Sequence, residues 1–256
     1  MSGFPSVITV AEINGANGIF LAGEARNFAG YSVSAAGDFN GDGIADLIIS
    51  ANGTDTAAGA ATGVAYVVFG TGSPLPATLN LGALDGTNGF RINGAAAGDQ
   101  FSKSVSGGGD INGDGFADII VGANYADNAG TSSGSAYVLF GHGGAQAATV
   151  EITSLNGANG FRFDGAAAND YTGRVLSSLG DVNGDGVDDF IVGAGWNDTN
   201  GGQSGSAYVV FGRNAAVDGN FQTVLTAAQL DGTNGFRLHG SLAGDMAGTA
   251  VSRAGD

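Results

Sequence analysis

The chain has 256 residues, no cysteine, 49 glycines and a formal net charge of −16 from 24 acidic against 8 basic residues. The missing cysteines exclude a disulfide framework and thiolate zinc or redox sites, and the acidity excludes a nucleic-acid backbone as partner, which needs clustered Lys and Arg. No apolar run approaches the ~18 residues of a membrane span, and Met1-Ser2-Gly3-Phe4-Pro5-Ser6 lacks the basic start and apolar core of a signal peptide.

In chain order, one unit repeats three times and begins a fourth, with approximate limits 7–70, 77–141, 148–212 and 222–256 in a single domain over 1–256. Each unit opens on an alternating apolar segment: Val7–Val10, Ala77–Leu81, Ala148–Ile152 and Gln222–Leu225. An Asn-Gly turn then starts a short strand at Gly18-Ile19-Phe20-Leu21, Gly89-Phe90-Arg91-Ile92, Gly160-Phe161-Arg162-Phe163 and Gly235-Phe236-Arg237-Leu238. A glycine-rich loop leads to an acidic motif, the motif leads to an apolar run such as Ile119-Ile120-Val121-Gly122-Ala123, and the unit closes on Gly-x-Ala-Tyr-Val-x-Phe-Gly, with Tyr66, Tyr137 and Tyr208 in phase. About four strands per unit is the make-up of a propeller blade, and the continuous apolar run is what a strand covered on both faces requires. The fold expected is therefore all-β: a β-propeller of four-stranded antiparallel blades, with about three and a half blades present. A closed ring takes ~4–8 blades, and the fourth copy stops on Asp256, the first aspartate of its motif, so a fragment of a longer gene product is expected. The export signal would lie in the missing part.

The acidic motif carries the chemistry. It reads Asp-x-Asn-x-Asp-Gly-x-x-Asp at Asp38–Asp46, Asp110–Asp118 and Asp181–Asp189. Oxygen ligands at alternate positions around a glycine suit calcium, a hard cation taking six to eight oxygens. The expected ligands are Asp38, Asn40, Asp42 and Asp46 with the Ile44 carbonyl; Asp110, Asn112, Asp114 and Asp118 with that of Phe116; and Asp181, Asn183, Asp185 and Asp189 with that of Val187. Gly43, Gly115 and Gly186 are expected at positive φ. An EF-hand shares the first half of this pattern but needs a glutamate at position 12. Ile49, Val121 and Val192 stand there, in strand-like sequence, which rejects it. An Asx-rich turn that binds nothing is the alternative to three Ca²⁺ sites.

With the flanking segments Ala29-Gly30-Tyr31-Ser32-Val33, Phe101-Ser102-Lys103-Ser104-Val105 and Ile191-Val192-Gly193-Ala194, this motif resembles the FG-GAP repeats of the integrin α-chain β-propeller and of bacterial surface and secreted proteins. The resemblance covers residues 7 to 256. It implies four antiparallel strands per blade, calcium in the hairpin between the first two, and partners bound on the opposite face.

Other candidates are weaker. Gly130-Thr131-Ser132-Ser133-Gly134 matches a nucleophile elbow but leads into a strand-like segment rather than a helix, and His142 and His239 fall outside the repeat register. The chain is therefore read as non-enzymatic. The Tyr66 series is read as blade packing, and Arg91, Arg162 and Arg237 as surface cations paired with acids. Specificity is expected where copies differ, in the loops 52–62, 124–133 and 195–204, where Tyr125 and Trp196 replace Gly53. Those aromatics suit glycan or protein contact, or else cap the adjacent blade. The function expected is a calcium-binding extracellular module for protein or glycan binding within a larger protein. The alternatives are a non-catalytic propeller appended to a secreted enzyme and a half-propeller that self-associates into a ring.

Overall fold

A computed structural model describes residues 7, 9–73 and 76–254. The apolar, β-branched segments form sixteen strands among these residues: β1 (Phe20–Ala22), β2 (Val33–Gly37), β3 (Asp46–Ala51), β4 (Val64–Val68), β5 (Thr78–Asn80), β6 (Gly89–Asn93), β7 (Val105–Gly109), β8 (Asp118–Ala123), β9 (Ser135–Leu139), β10 (Thr149–Glu151), β11 (Gly160–Asp164), β12 (Val175–Gly180), β13 (Asp189–Ala194), β14 (Ser206–Val210), β15 (Val224–Thr226) and β16 (Gly235–His239). They make three antiparallel four-stranded blades, β2-β3-β4-β6, β7-β8-β9-β11 and β12-β13-β14-β16, and a separate pair, β1 with β5. The molecule is a partial β-propeller, as its repeat pattern anticipates.

The sheets do not coincide with the sequence units. The outer strand of each blade is the Asn-Gly strand of the next unit: β6 pairs antiparallel with β4, matching Tyr66 with Arg91, and β11 pairs in the same way with β9. The lead-in segments β10 and β15 then add parallel to β6 and β11. In the first copy the expected lead-in strand is absent: Val7 and Thr9 lie outside any strand, Val10–Glu12 is a 3₁₀ turn, and Ile8 lies outside the described residues. Its counterparts are ordered by a neighbouring outer strand, which the described residues do not offer it. The longer link before the fourth copy holds a short helix, Ala215–Asp218, capped by the Asn214 side chain.

The inner strands β2, β7 and β12 lie side by side. Serine hydroxyls cross between them: Ser104 Oγ donates to the Gly173 carbonyl at 2.8 Å and Ser178 Oγ to that of Gly108 at 3.0 Å. The core is two apolar layers between blades and a smaller one outside the first blade. One inner layer holds Phe39, Ile48, Phe90, Phe101 and Ile119, the other Ile111, Phe161, Phe163, Phe190 and Phe221. The closing strands β4, β9 and β14 are buried along their whole length.

Equivalent positions on the two end blades lack that cover. Leu47 is 43% exposed where its counterpart Ile119 is 0%, and Phe236 is 39% exposed where Phe161 is 0%.

Candidate functional site

Each acidic motif is the connection between the first two strands of a blade, 38–45, 110–117 and 181–188. Position 12 falls inside β3, β8 or β13, not in a helix. The turn forms because aspartate and asparagine side chains cap backbone N–H groups that no ladder satisfies. The Asp42 N–H donates to Asp38 Oδ1 at 3.0 Å and to Asn40 Oδ1 at 2.9 Å, the Gly43 N–H to Asp38 Oδ2 at 2.9 Å, and the Ile44 N–H to Asp42 Oδ1 at 2.8 Å. Asp110, Asn112 and Asp114 repeat this set, and so do Asp181, Asn183 and Asp185. Gly43, Gly115 and Gly186 take φ of 86°, 92° and 90°, the left-handed region in which a side chain is strained.

The last aspartate of each motif behaves differently. Asp46, Asp118 and Asp189 are buried, and each bridges two backbone donors. Asp118 accepts from Ile111 N–H at 2.7 Å and from Gly141 N–H at 2.9 Å; Asp46 accepts from Phe39 and Gly70, and Asp189 from Val182 and Gly212. These carboxylates therefore tie the motif to the end of the blade's third strand. Burial pushes all three above the usual carboxylate range. Repulsion adds to that shift, from Asp42 on Asp46, from Asp114 and Asp110 on Asp118, and from Asp185 on Asp189.

Successive loops also join through the backbone. The Asp38 carbonyl accepts from Ala117 N–H at 3.1 Å and the Asp110 carbonyl from Asp188 N–H at 3.0 Å, so the motifs form one continuous row on one face.

The donor set fits a hard dication: three carboxylates, an amide oxygen and a carbonyl per loop, with no basic side chain paired to them. Among the described residues the single ion pair is Arg162–Asp164, elsewhere in the molecule. The fit is one of donor chemistry, because among the described residues no three acidic or histidine side chains already converge as a metal cluster. The predicted ligands of each motif are thus brought to one hairpin, with the position-9 carboxylate lodged beneath it.

The opposite face carries the loops that differ between copies. Tyr125 and Trp196 both meet Tyr171 edge-on, at 5.5 Å and 5.7 Å between ring centroids, and Arg174 lies 4.6 Å over the Trp196 ring. These aromatics bridge neighbouring blades. The Tyr66, Tyr137 and Tyr208 rings are buried, and burial raises their phenols, that of Tyr137 to about 12.

Of the three arginines expected to pair with acids, only Arg162 does. Arg91 donates to Asn93 and Arg237 to the Leu230 carbonyl, because the residue two positions on is Asp164 in one copy but Asn93 and His239 in the others. The Gly130–Gly134 stretch leads directly into β9, without the helix an elbow needs. His239 is exposed and shares a hydrogen bond with Ser206 Oγ, and His142 is exposed.

Asp99, on this face, is a signal that sequence reading missed. Burial pushes its carboxyl up to about 6, with the Asp127 carboxylate adding to the shift. An unfolded aspartate titrates near ~4. Between pH ~4 and ~6 the folded protein therefore holds a proton that the unfolded chain has released, so this group's contribution to stability falls as pH rises through that window. The Asp99→Asn variant is expected to be more stable than the parent by about 1 kcal/mol at pH 7, allowing for solvent screening, and equal to it near pH 3.5. Denaturant titrations of both proteins at the two pH values check this.

Comparison with known proteins gives a consistent assignment. The FG-GAP repeat family matches residues 29–68, 101–139 and 172–210, from just before each inner strand to the third strand of the blade. Among curated proteins the chain is similar to integrin alpha-PS2 of Drosophila melanogaster, at 28% identity over 87% of the chain and 14% of that protein. It is also similar to integrin alpha-PS5 of the same organism, at 28% identity over 69% of the chain and 16% of that protein. The chain thus spans about one-sixth of the length of these relatives or less.

Proposed function

Because the chain belongs to the FG-GAP, integrin α-like repeat family, we propose that it is a calcium-stabilised extracellular β-propeller module that binds a protein or glycan partner for a larger protein. The observation that supports it best is the row of three like-built loops on one face, each concentrating carboxylates that no basic side chain offsets. Calcium would neutralise that repulsion, held by Asp38, Asn40, Asp42, the Ile44 carbonyl and Asp46 and by their counterparts, with Asp46, Asp118 and Asp189 also anchoring each loop from below. Loops of this kind in extracellular fluid tolerate affinities of ~10⁻⁴ to 10⁻³ M, which cytosolic calcium would not fill. Location outside the cell follows from that reading. Among the described residues no helix is long and apolar enough to cross a membrane.

No catalytic constellation enters this reading. The role proposed for the propeller is to present its loop face, opposite the acidic row, to a partner.

Calcium at several times its dissociation constant is expected to add about 1 kcal/mol per loop, and so to raise the melting temperature by several degrees. Differential scanning fluorimetry in millimolar calcium and again in excess chelator tests it. A transition that does not move between the two conditions would sink the structural-calcium claim.

A further inference from the structure

The residue that each blade lays against its neighbour's acidic motif differs in charge. On the first motif it is Ala117, whose methyl group packs on Gly37. On the second it is Asp188, whose carboxylate packs on Gly109, and on the third it is the Arg253 guanidinium, which packs on Gly180. Gly37, Gly109 and Gly180 each stand directly before the first aspartate of a motif, at Asp38, Asp110 and Asp181. Three motifs with the same donor set thus have a neutral, an acidic and a basic neighbour.

Asp188 does more than add charge. Its N–H donates to the Asp110 carbonyl at 3.0 Å, and its Oδ2 accepts from the Asp110 N–H at 2.8 Å, so Asp110 is clipped on both sides. Ala117 repeats the first bond, to the Asp38 carbonyl at 3.1 Å, but has no carboxylate for the second. The second motif is also braced from the following link. The Ala215 N–H, at the start of the short helix Ala215–Asp218, donates to the Asn112 carbonyl at 2.8 Å, and Asn214 packs on Gly113. Asn112 is 4% exposed, whereas Asn40 is half-buried and Asn183 exposed. Asp114 and Gly115 remain exposed, which leaves an ion a way in.

The affinity of an oxygen site for calcium follows its ligand charge count and its rigidity, and both favour the same motif. We propose that the second motif is the high-affinity calcium site of the row, filled before the first and third, and that Asp188 of the third motif is the positioning residue that makes it so. Asp188 fixes the Asp110 backbone before the ion arrives and adds a fourth carboxylate beside those of Asp110, Asp114 and Asp118. At the third motif Arg253 acts in the opposite sense, because a cation beside the loop repels the incoming ion. The inference rests on the calcium reading and ranks its sites.

Isothermal titration of the chelator-stripped full chain with calcium chloride tests it. One site is expected to bind about tenfold more tightly than the other two, the lower end of what a residue behind a metal ligand contributes. Asp114→Asn is expected to abolish that tight phase and Asp42→Asn to leave it. Asp188→Ala, which gives the second motif the same kind of neighbour as the first, is expected to weaken it about tenfold, and Ala117→Asp to tighten the first site by a similar factor. Melting curves in chelator verify that each variant folds. Three sites of equal affinity, a tight phase that survives Asp114→Asn, one unchanged by Asp188→Ala, or a first site unmoved by Ala117→Asp would each overturn the proposal. Binding without that ranking leaves the calcium reading intact, whereas a chain that gives neither binding heat nor a calcium-dependent melting shift loses both.

Discussion

Replacing Asp118 by alanine is expected to destabilise the protein by about 4 kcal/mol even with calcium absent. The carboxylate is fully buried and accepts from two buried backbone N–H groups, Ile111 at the start of the loop and Gly141 just past β9. Alanine leaves both donors without a partner in a site closed to water, and each orphan costs about 1–3 kcal/mol in addition to the lost charge-assisted bonds. Asp114, in the same motif, is the opposite case. Its side chain caps the Phe116 N–H on the loop's outer side. Asp114→Asn keeps an acceptor there and relieves repulsion, so stability in chelator is expected to stay within about 0.5 kcal/mol of the parent. The gain from calcium at that loop is lost. Urea unfolding of both variants in calcium and in chelator separates the anchor from the ligand. Equal calcium responses in Asp114→Asn and the parent would show that the residue is no ligand.

A second large effect is expected between blades. Phe161 stacks on Phe221 with ring centroids 4.4 Å apart and planes 5° from parallel, and it also meets Phe140 and Phe190. Truncating it to alanine opens a cavity in a layer that no flexible neighbour can refill, and about 4 kcal/mol is the expected loss. Phe236 holds the same place in the repeat, on β16, but lies at the open face of the last blade and is 39% exposed. Phe236→Ala is expected to lose about 1 kcal/mol. The two variants have identical chemistry and repeat register, so chemical denaturation curves measured side by side isolate inter-blade burial. Similar losses would contradict the layered core.

The repeat made much of this architecture readable before any coordinates. Three copies of one motif with a fixed apolar frame mark strand positions independently, and the strands at Asp46–Ala51, Asp118–Ala123 and Asp189–Ala194 fall where the continuous apolar runs stand. What sequence could not show was which strands share a sheet. The Asn-Gly strand carries the same residues whether it pairs within its own unit or with the preceding one; the match of Tyr66 to Arg91 is a tertiary choice with no local signature. The first lead-in segment failed for the same reason: Val7–Val10 alternates like its counterparts, but alternation describes a strand's faces and not the partner that orders it. At the acidic loops, spacing gave four side chains one expected role, and the structure adds a second, backbone-anchoring one to the last of them. Asp42 is at the surface while Asp46 lies beneath, and only burial tells them apart. Gly53 was legible as a departure from the repeat; that the Phe28 ring packs in the place of its missing side chain was not.

The half-step offset between unit and sheet also bears on how the molecule comes apart. A protease nick in the link between β4 and β5 cuts the covalent chain at a boundary of the sequence repeat, yet releases nothing. β6 remains zipped to β4 across the cut and β5 remains paired with β1. Each unit is buckled into its predecessor, so the blades separate only when a hydrogen-bonded sheet is itself peeled open. The backbone link is one strap of two, and the second is non-covalent, redundant and repeated at every joint.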